Sequence, residues 1–203
     1  MTRRWVKERH NDPYYRAAQR DGLRSRAAFK LLQLHQHLSI IPYGSRVLDL
    51  GAAPGGWSLT ARDLAGARGH VTSVDIRNFE PMEGVTFIRG RVGSPELLER
   101  LKGQTFDVIL SDMSPSISGN YSTDHARSVD LVRCAMGLAQ HLLAPGGTFV
   151  AKLFDGDMTQ ELRKDLSAVF EKVQFTKPMA SRSQSSEIYL VCRRFHAPDV
   201  PNV

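Results

Sequence analysis

The sequence predicts an α/β fold: a mostly parallel, seven-stranded sheet with helices on both faces. Three observations lead there. Short apolar runs alternate with stretches of helical period along the 203 residues, and such alternation places crossover helices over a parallel sheet. The first apolar run ends in a turn of small residues, Gly51-Ala52-Ala53-Pro54-Gly55-Gly56, that leads into a helix. The second ends in an acid, Asp75, about 20 residues further on. Sheets of this kind bind ligands beyond the carboxyl ends of their strands, where both features fall.

The elements follow in order. The stretch 25–38, SRAAFKLLQLHQHL, reads as an amphipathic helix with Ser25 as its N-cap. RVLDL (46–50) reads as a buried strand, and GWSLTARDLAG (56–66) as the helix after the turn. HVTSVD (70–75) and VTFIRG (85–90) read as the second and third strands. SPELLERLKG (94–103) is a short helix that Ser94 caps. FDVILSD (106–112) is a strongly apolar fourth strand, and 126–143 a longer helix stopped by Pro145-Gly146-Gly147. GTFVAKLF (147–154) is the fifth strand and 158–172 another helix. VQFTK (173–177) and SEIYLVCRRF (186–195) complete the seven strands.

The length suits one domain over 1–203 with one sizeable core. The composition, 41% hydrophobic and 24% charged, points away from disorder. The net charge of +6 is unevenly spread: residues 1–46 hold ten Lys or Arg against three acids. In the segment 1–24, arginines alternate with Trp5, Tyr14 and Tyr15. Cations neutralise phosphates and aromatic faces stack on bases, so this segment suits RNA; a solvated terminus is the plainer alternative. Cys134 and Cys192 form no C-x-x-C or Cys/His cluster, so no zinc site is expected, and both read as small buried hydrophobes. The opening MTRRWVKERHND has no apolar signal core, and no run is long enough for a membrane span. A cytoplasmic protein is expected. A monomer is expected too, because basic RNA-facing surfaces repel one another.

The turn after the first strand is the first candidate site. Small residues let a ligand approach the backbone. The spacing is not G-x-G-x-x-G, and Pro54 has no amide hydrogen to give a phosphate, which disfavours a dinucleotide and a nicotinamide dehydrogenase. Asp75 suits the hydrogen bonds of a ribose diol. For the glycines alone, a tight structural turn is an equal reading.

LDLGAAPGGWS followed by SVDI resembles the cofactor motifs of the FtsJ/RlmE family of RNA ribose 2′-O-methyltransferases. The likeness runs from SRAAFKL to SSEIYLV, nearly the whole chain. It implies a Rossmann-like class I methyltransferase sheet with an antiparallel last strand. It also implies S-adenosyl-L-methionine as cofactor, bound around Gly51, Ala52, Pro54, Gly55, Gly56, Trp57, Asp75 and Asp112. Within the family the chain is most similar to the type that methylates a uridine ribose in large-subunit ribosomal RNA, which makes ribosomal RNA the expected partner. One departure stands out: where many members carry an acid that binds the adenine amino group, this chain has Arg91. An arginine accepts no hydrogen bond, so that contact is not expected here.

The family's Lys-Asp-Lys-Glu tetrad matches Lys30, Asp112, Lys152 and Glu187. The chemistry explains the set. A ribose 2′-hydroxyl is a poor nucleophile until its proton is removed or strongly shared, and a sulfonium needs no metal to activate its methyl group, so the protein must align the reactants and handle one proton. Lys152, flanked by apolar residues, is the expected general base or else a charged stabiliser of the alkoxide. Asp112 orients it near the cofactor, and Lys30 and Glu187 position the ribose. Taken singly, each has a bland alternative: a snorkelling strand lysine, a turn cap, a solvated helix residue, an edge-strand charge. Ser114–Tyr121 and Arg182 are expected near the RNA. Two other functions stay open: a transfer-RNA methyltransferase of the same family, and a non-catalytic RNA-binding assembly factor.

Overall fold

Seven strands line up in the order β3-β2-β1-β4-β5-β7-β6 in the computed structural model, which describes residues 27–181 and 185–197. They are β1 (Arg46–Leu50), β2 (His70–Asp75), β3 (Val85–Arg89), β4 (Phe106–Ser111), β5 (Leu143–Phe154), β6 (Phe170–Thr176) and β7 (Glu187–Phe195). The first five are parallel. β7 alone is reversed, antiparallel to both β5 and β6, as the family likeness implies. The chain starts in the middle at β1, runs outward to β3, then returns to β4 on the other side of β1. That reversal opens a crevice at the carboxyl ends of β1 and β4.

Alternation along the central strands divides the core. Val47, Val108, Val150, Tyr189 and Val191 face α1 (Ala27–Leu38) and α2 (Gly56–Ala65). Leu48, Ile109, Ala151 and Leu190 face α3 (Pro95–Leu101), α4 (Tyr121–Leu142) and α5 (Thr159–Ser167). Both faces of the sheet are covered, which is why these strands read as nearly unbroken apolar runs.

Several boundaries differ from the sequence reading. α4 begins at Tyr121 rather than 126, because the Asn120 side chain accepts the Thr123 N–H at 3.0 Å and caps it. It ends at Leu142, because Leu143 already pairs with Phe106 in β5. α5 stops at Ser167 instead of running to 172, since Phe170 pairs with Phe195 and opens β6 early. Ser94 does cap α3, accepting the Leu97 N–H at 3.3 Å. Cys192 is buried, whereas Cys134 is only half-buried, with its thiol 3.4 Å from the Val92 carbonyl. The basic segment 1–24, Ser25 and Arg182 lie outside the described residues.

Candidate active site

A cleft of about 600 Å³ opens at the carboxyl ends of β1, β2 and β4, and Gly51, Asp75 and Asp112 line it. Ile76, Met113, Pro115 and Leu131 supply apolar walls. This size lies within the roughly 300–1,000 Å³ of small-molecule sites. Gly51 has φ +75°, and a Cβ there would stand 2.5 Å from Met113 Cγ and 3.2 Å from Met113 Cα. The turn therefore needs glycine for both its conformation and its clearance. Gly51→Ala is expected to cost about 1–3 kcal/mol, read as a lower urea midpoint, and to weaken ligand binding in the cleft.

Asp75 is fixed by backbone at the end of β2: Oδ2 accepts the Ala53 N–H at 2.9 Å and Oδ1 the Arg77 N–H at 2.8 Å. Each carboxylate oxygen keeps a lone pair for a ligand hydroxyl. Arg91 lines the same cleft beside Gly90 and Val92. The remaining predicted cofactor residues lie in the turn and the start of α2. Ala52 is tied to β2 through its N–H on the Val74 carbonyl, Pro54 follows a cis peptide, Gly55 caps α2 and Gly56 opens it. Trp57 is placed differently from a ligand-facing ring. Its indole N–H donates to the Ala27 carbonyl at 2.8 Å, and its ring packs 5.6 Å from Tyr189, which ties α1 to the sheet.

The four predicted catalytic residues come together on the α1/α2 face of the sheet as two ion pairs. Lys152 Nζ lies 3.1 Å from Asp112 Oδ1 and donates to the Asp112 carbonyl at 2.7 Å. Lys30 Nζ pairs with Glu187 Oε1. Both lysines are only 9% exposed, so each ammonium depends on its carboxylate. Burial alone would raise the Glu187 carboxyl. The neighbouring Lys30 charge and hydrogen bond win, helped by Lys152 and the Ser181 hydroxyl, and hold it below the ordinary range.

The sequence reading missed Tyr189, which joins the two pairs. It lies opposite Lys152 in the β5–β7 register, donates its hydroxyl to Asp112 Oδ1 at 2.8 Å, and carries Lys30 Nζ 5.9 Å above its ring. Burial first, then the Asp112 and Glu187 charges, push its phenol well above the ordinary range, so it stays a donor. Its signal was present: two residues after Glu187 on a strand, it shares that residue's face. Also missed was a clamp from α4 on the end of β5. His125 Nδ1 meets the Phe154 carbonyl at 2.7 Å, Ser128 Oγ accepts the Phe154 N–H at 3.1 Å, and His125 Nε2 accepts the Met158 N–H at 3.0 Å. Phe154 is the register partner of Glu187. Tyr121, at the start of α4, spends its hydroxyl on the Asp155 carbonyl.

Beneath the cleft, Asp49 Oδ2 accepts the Ser58 hydroxyl at 2.5 Å, and Ser58 Oγ accepts the Ser73 hydroxyl at 2.7 Å. Asp49 is fully buried and its Oδ1 has no partner among the described residues. Burial, against the Ser58 hydrogen bond and with the Asp112 and Asp75 charges, raises its carboxyl from 3.8 to about 7. The folded chain then holds more protons than the unfolded one between those values, so this group's contribution to stability falls as pH rises from about 4 to about 7. Asp49→Asn should flatten that slope, seen as a smaller difference between urea midpoints at pH 5 and pH 8.

A seven-stranded sheet with β7 reversed, a ligand cleft at its switch point and a lysine–carboxylate cluster beside it define a Rossmann-like methyltransferase. The chain belongs to the FtsJ-like methyltransferase family, whose model matches residues 23–195. It is 47% identical over 186 residues to the ribosomal RNA large subunit methyltransferase E of Archaeoglobus fulgidus, covering 91% of this chain and 96% of that one. The Coxiella burnetii protein of the same name is 43% identical, covering 96% and 95%. Among solved structures, a ribosomal RNA methyltransferase from Plasmodium falciparum superposes with a TM-score of 0.74 at 30% identity, over 85% of this chain and 98% of that one.

Proposed function

We propose that this enzyme transfers a methyl group from S-adenosyl-L-methionine to the 2′-hydroxyl of a uridine ribose in large-subunit ribosomal RNA. The observation that carries the reading is the Lys152–Asp112 pair, bridged through Tyr189 to Lys30–Glu187, at the edge of the cleft. The substrate class follows the names of the relatives.

The residues present fit the cofactor. The Gly51 cradle leaves room that a side chain would fill, Asp75 offers acceptors to a ribose diol, and Ile76, Pro115 and Leu131 give apolar walls for a base. When bound, S-adenosylmethionine supplies a methyl group already activated on a sulfonium. Lys152 Nζ donates to the Asp112 carbonyl and lies 3.1 Å from Asp112 Oδ1, and it is the group that handles the 2′-hydroxyl proton. Asp112, fixed by Tyr189, orients that nitrogen. Lys30 and Glu187 position the ribose. The basic segment 1–24 supplies the RNA-binding arm, through phosphate contacts and base stacking.

Labelled S-adenosylmethionine incubated with undermethylated large ribosomal subunits, and in parallel with transfer RNA, tests this reading. Label at a 2′-oxygen of the large-subunit RNA, absent with Lys152→Ala, is expected. Label on transfer RNA alone would overturn the substrate. Cofactor binding without label on either RNA would favour an assembly role.

A further inference from the structure

The Asp49–Ser58–Ser73 cluster has no part in the reaction above, yet it adjoins the cleft. Asp49 stands two residues before Gly51 and Ser73 two before Asp75, and both of those line it. Among the described residues the Asp49 carboxyl is held only through Oδ2, by a hydroxyl, with Oδ1 buried and unpartnered. A buried carboxylate anion with an empty acceptor is costly, whereas the neutral carboxyl tolerates the same surroundings. The packed elements bring hydroxyls from α2 (Ser58) and β2 (Ser73), and the charges acting on Asp49 are the carboxylates of Asp75 and Asp112. No basic side chain bonds to it among the described residues. A positive charge placed in the cleft would oppose those two carboxylates and favour the Asp49 anion.

The methyl donor and its product differ by such a charge. The donor is a sulfonium; the product, S-adenosylhomocysteine, is a neutral thioether of nearly the same shape. We propose that Asp49 is the charge sensor of the cleft: it holds a proton beside the product, releases it when the cationic donor binds, and so makes the cleft distinguish donor from product. On donor binding one O–H bond of the Asp49 carboxyl breaks and the proton passes to solvent. Methyl transfer removes the positive charge, and the carboxyl takes a proton back. The inference rests on the reading of the cleft as the S-adenosylmethionine site.

Calorimetric titration of the full chain with S-adenosylmethionine and with S-adenosylhomocysteine, near pH 7 in buffers of different ionisation enthalpy, counts the protons released. Because Asp49 is half-ionised at about pH 7, up to about half a proton should leave per donor bound, and clearly less per product. The preference for donor over product should rise roughly three- to tenfold from pH 6 to pH 8. Asp49→Asn should abolish both effects. The infrared carbonyl band of a protonated carboxyl should weaken on donor addition in the parent chain and be missing from that variant. If Asp49→Asn does not fold, Ser58→Ala tests the same idea: losing the hydroxyl that supports the anion should move proton release to higher pH. Unchanged proton release in Asp49→Asn, or equal release with both ligands in the parent chain, would overturn the inference alone. Binding of neither ligand would overturn the cofactor reading, and this inference with it.

Discussion

Lys152→Ala should lower single-turnover methyl transfer by about a thousandfold, the middle of the range for a group that handles the proton. The fold should survive, because Asp112 keeps its bond from Tyr189 and β5 keeps its register with β7. Cofactor affinity, measured by titration, should change little. Lys152→Arg separates the two roles open to this side chain. A guanidinium stays charged and takes no proton, but still stabilises an alkoxide. Loss of activity equal to that of the alanine variant identifies a proton acceptor; substantial recovery identifies a charged stabiliser.

Lys30→Ala should cost about 3 kcal/mol of stability at pH 7, the scale for stranding one member of a buried pair. Glu187 would keep the Ser181 hydroxyl at 3.2 Å but lose its direct ion pair. The pair holds the Glu187 carboxyl below its unfolded value, so it contributes stability above the unfolded pKa and loses it as pH falls through the folded one. The difference between parent and variant in urea melts should therefore shrink in acid. Replacing both residues, Lys30→Met with Glu187→Leu, should recover most of the stability while methyl transfer stays low. That outcome assigns the pair to substrate positioning rather than to holding α1 in place, a task Trp57 performs from α2.

The architecture was legible because local signals and burial agree. Val, Leu and Ile runs buried on both faces mark the central strands, and small residues after β1 with an acid after β2 mark the cleft. The four charged residues were legible as a set through the family's Lys-Asp-Lys-Glu tetrad: Asp112, Lys152 and Glu187 stand in or beside apolar strands, whereas Lys30, in α1, reads singly as a solvated helix residue. What escaped the sequence was long-range. Asn120 starts α4 through one side-chain cap. Phe170 leaves a helical pattern because Phe195 offers it a ladder partner 25 residues on. Tyr189 looks like an ordinary strand aromatic until Asp112, 77 residues away, takes its hydroxyl. The Trp57 ring, grouped with the cofactor residues by its place in the motif, is occupied by a carbonyl of α1 that no local pattern announces.

The clamp of His125 and Ser128 on Phe154 also bears on hydrogen exchange. Strand ends ordinarily fray, and their amides exchange through small local openings. Here the amide and carbonyl of Phe154 are both held by α4, and Asp155 continues the ladder through its N–H on the Ser186 carbonyl. The Phe154 amide should exchange as slowly as those in the middle of β5, and its protection should fall in Ser128→Ala. The paired ends of β5 and β7 that carry Lys152 and Glu187 would then open only together with the core of the sheet.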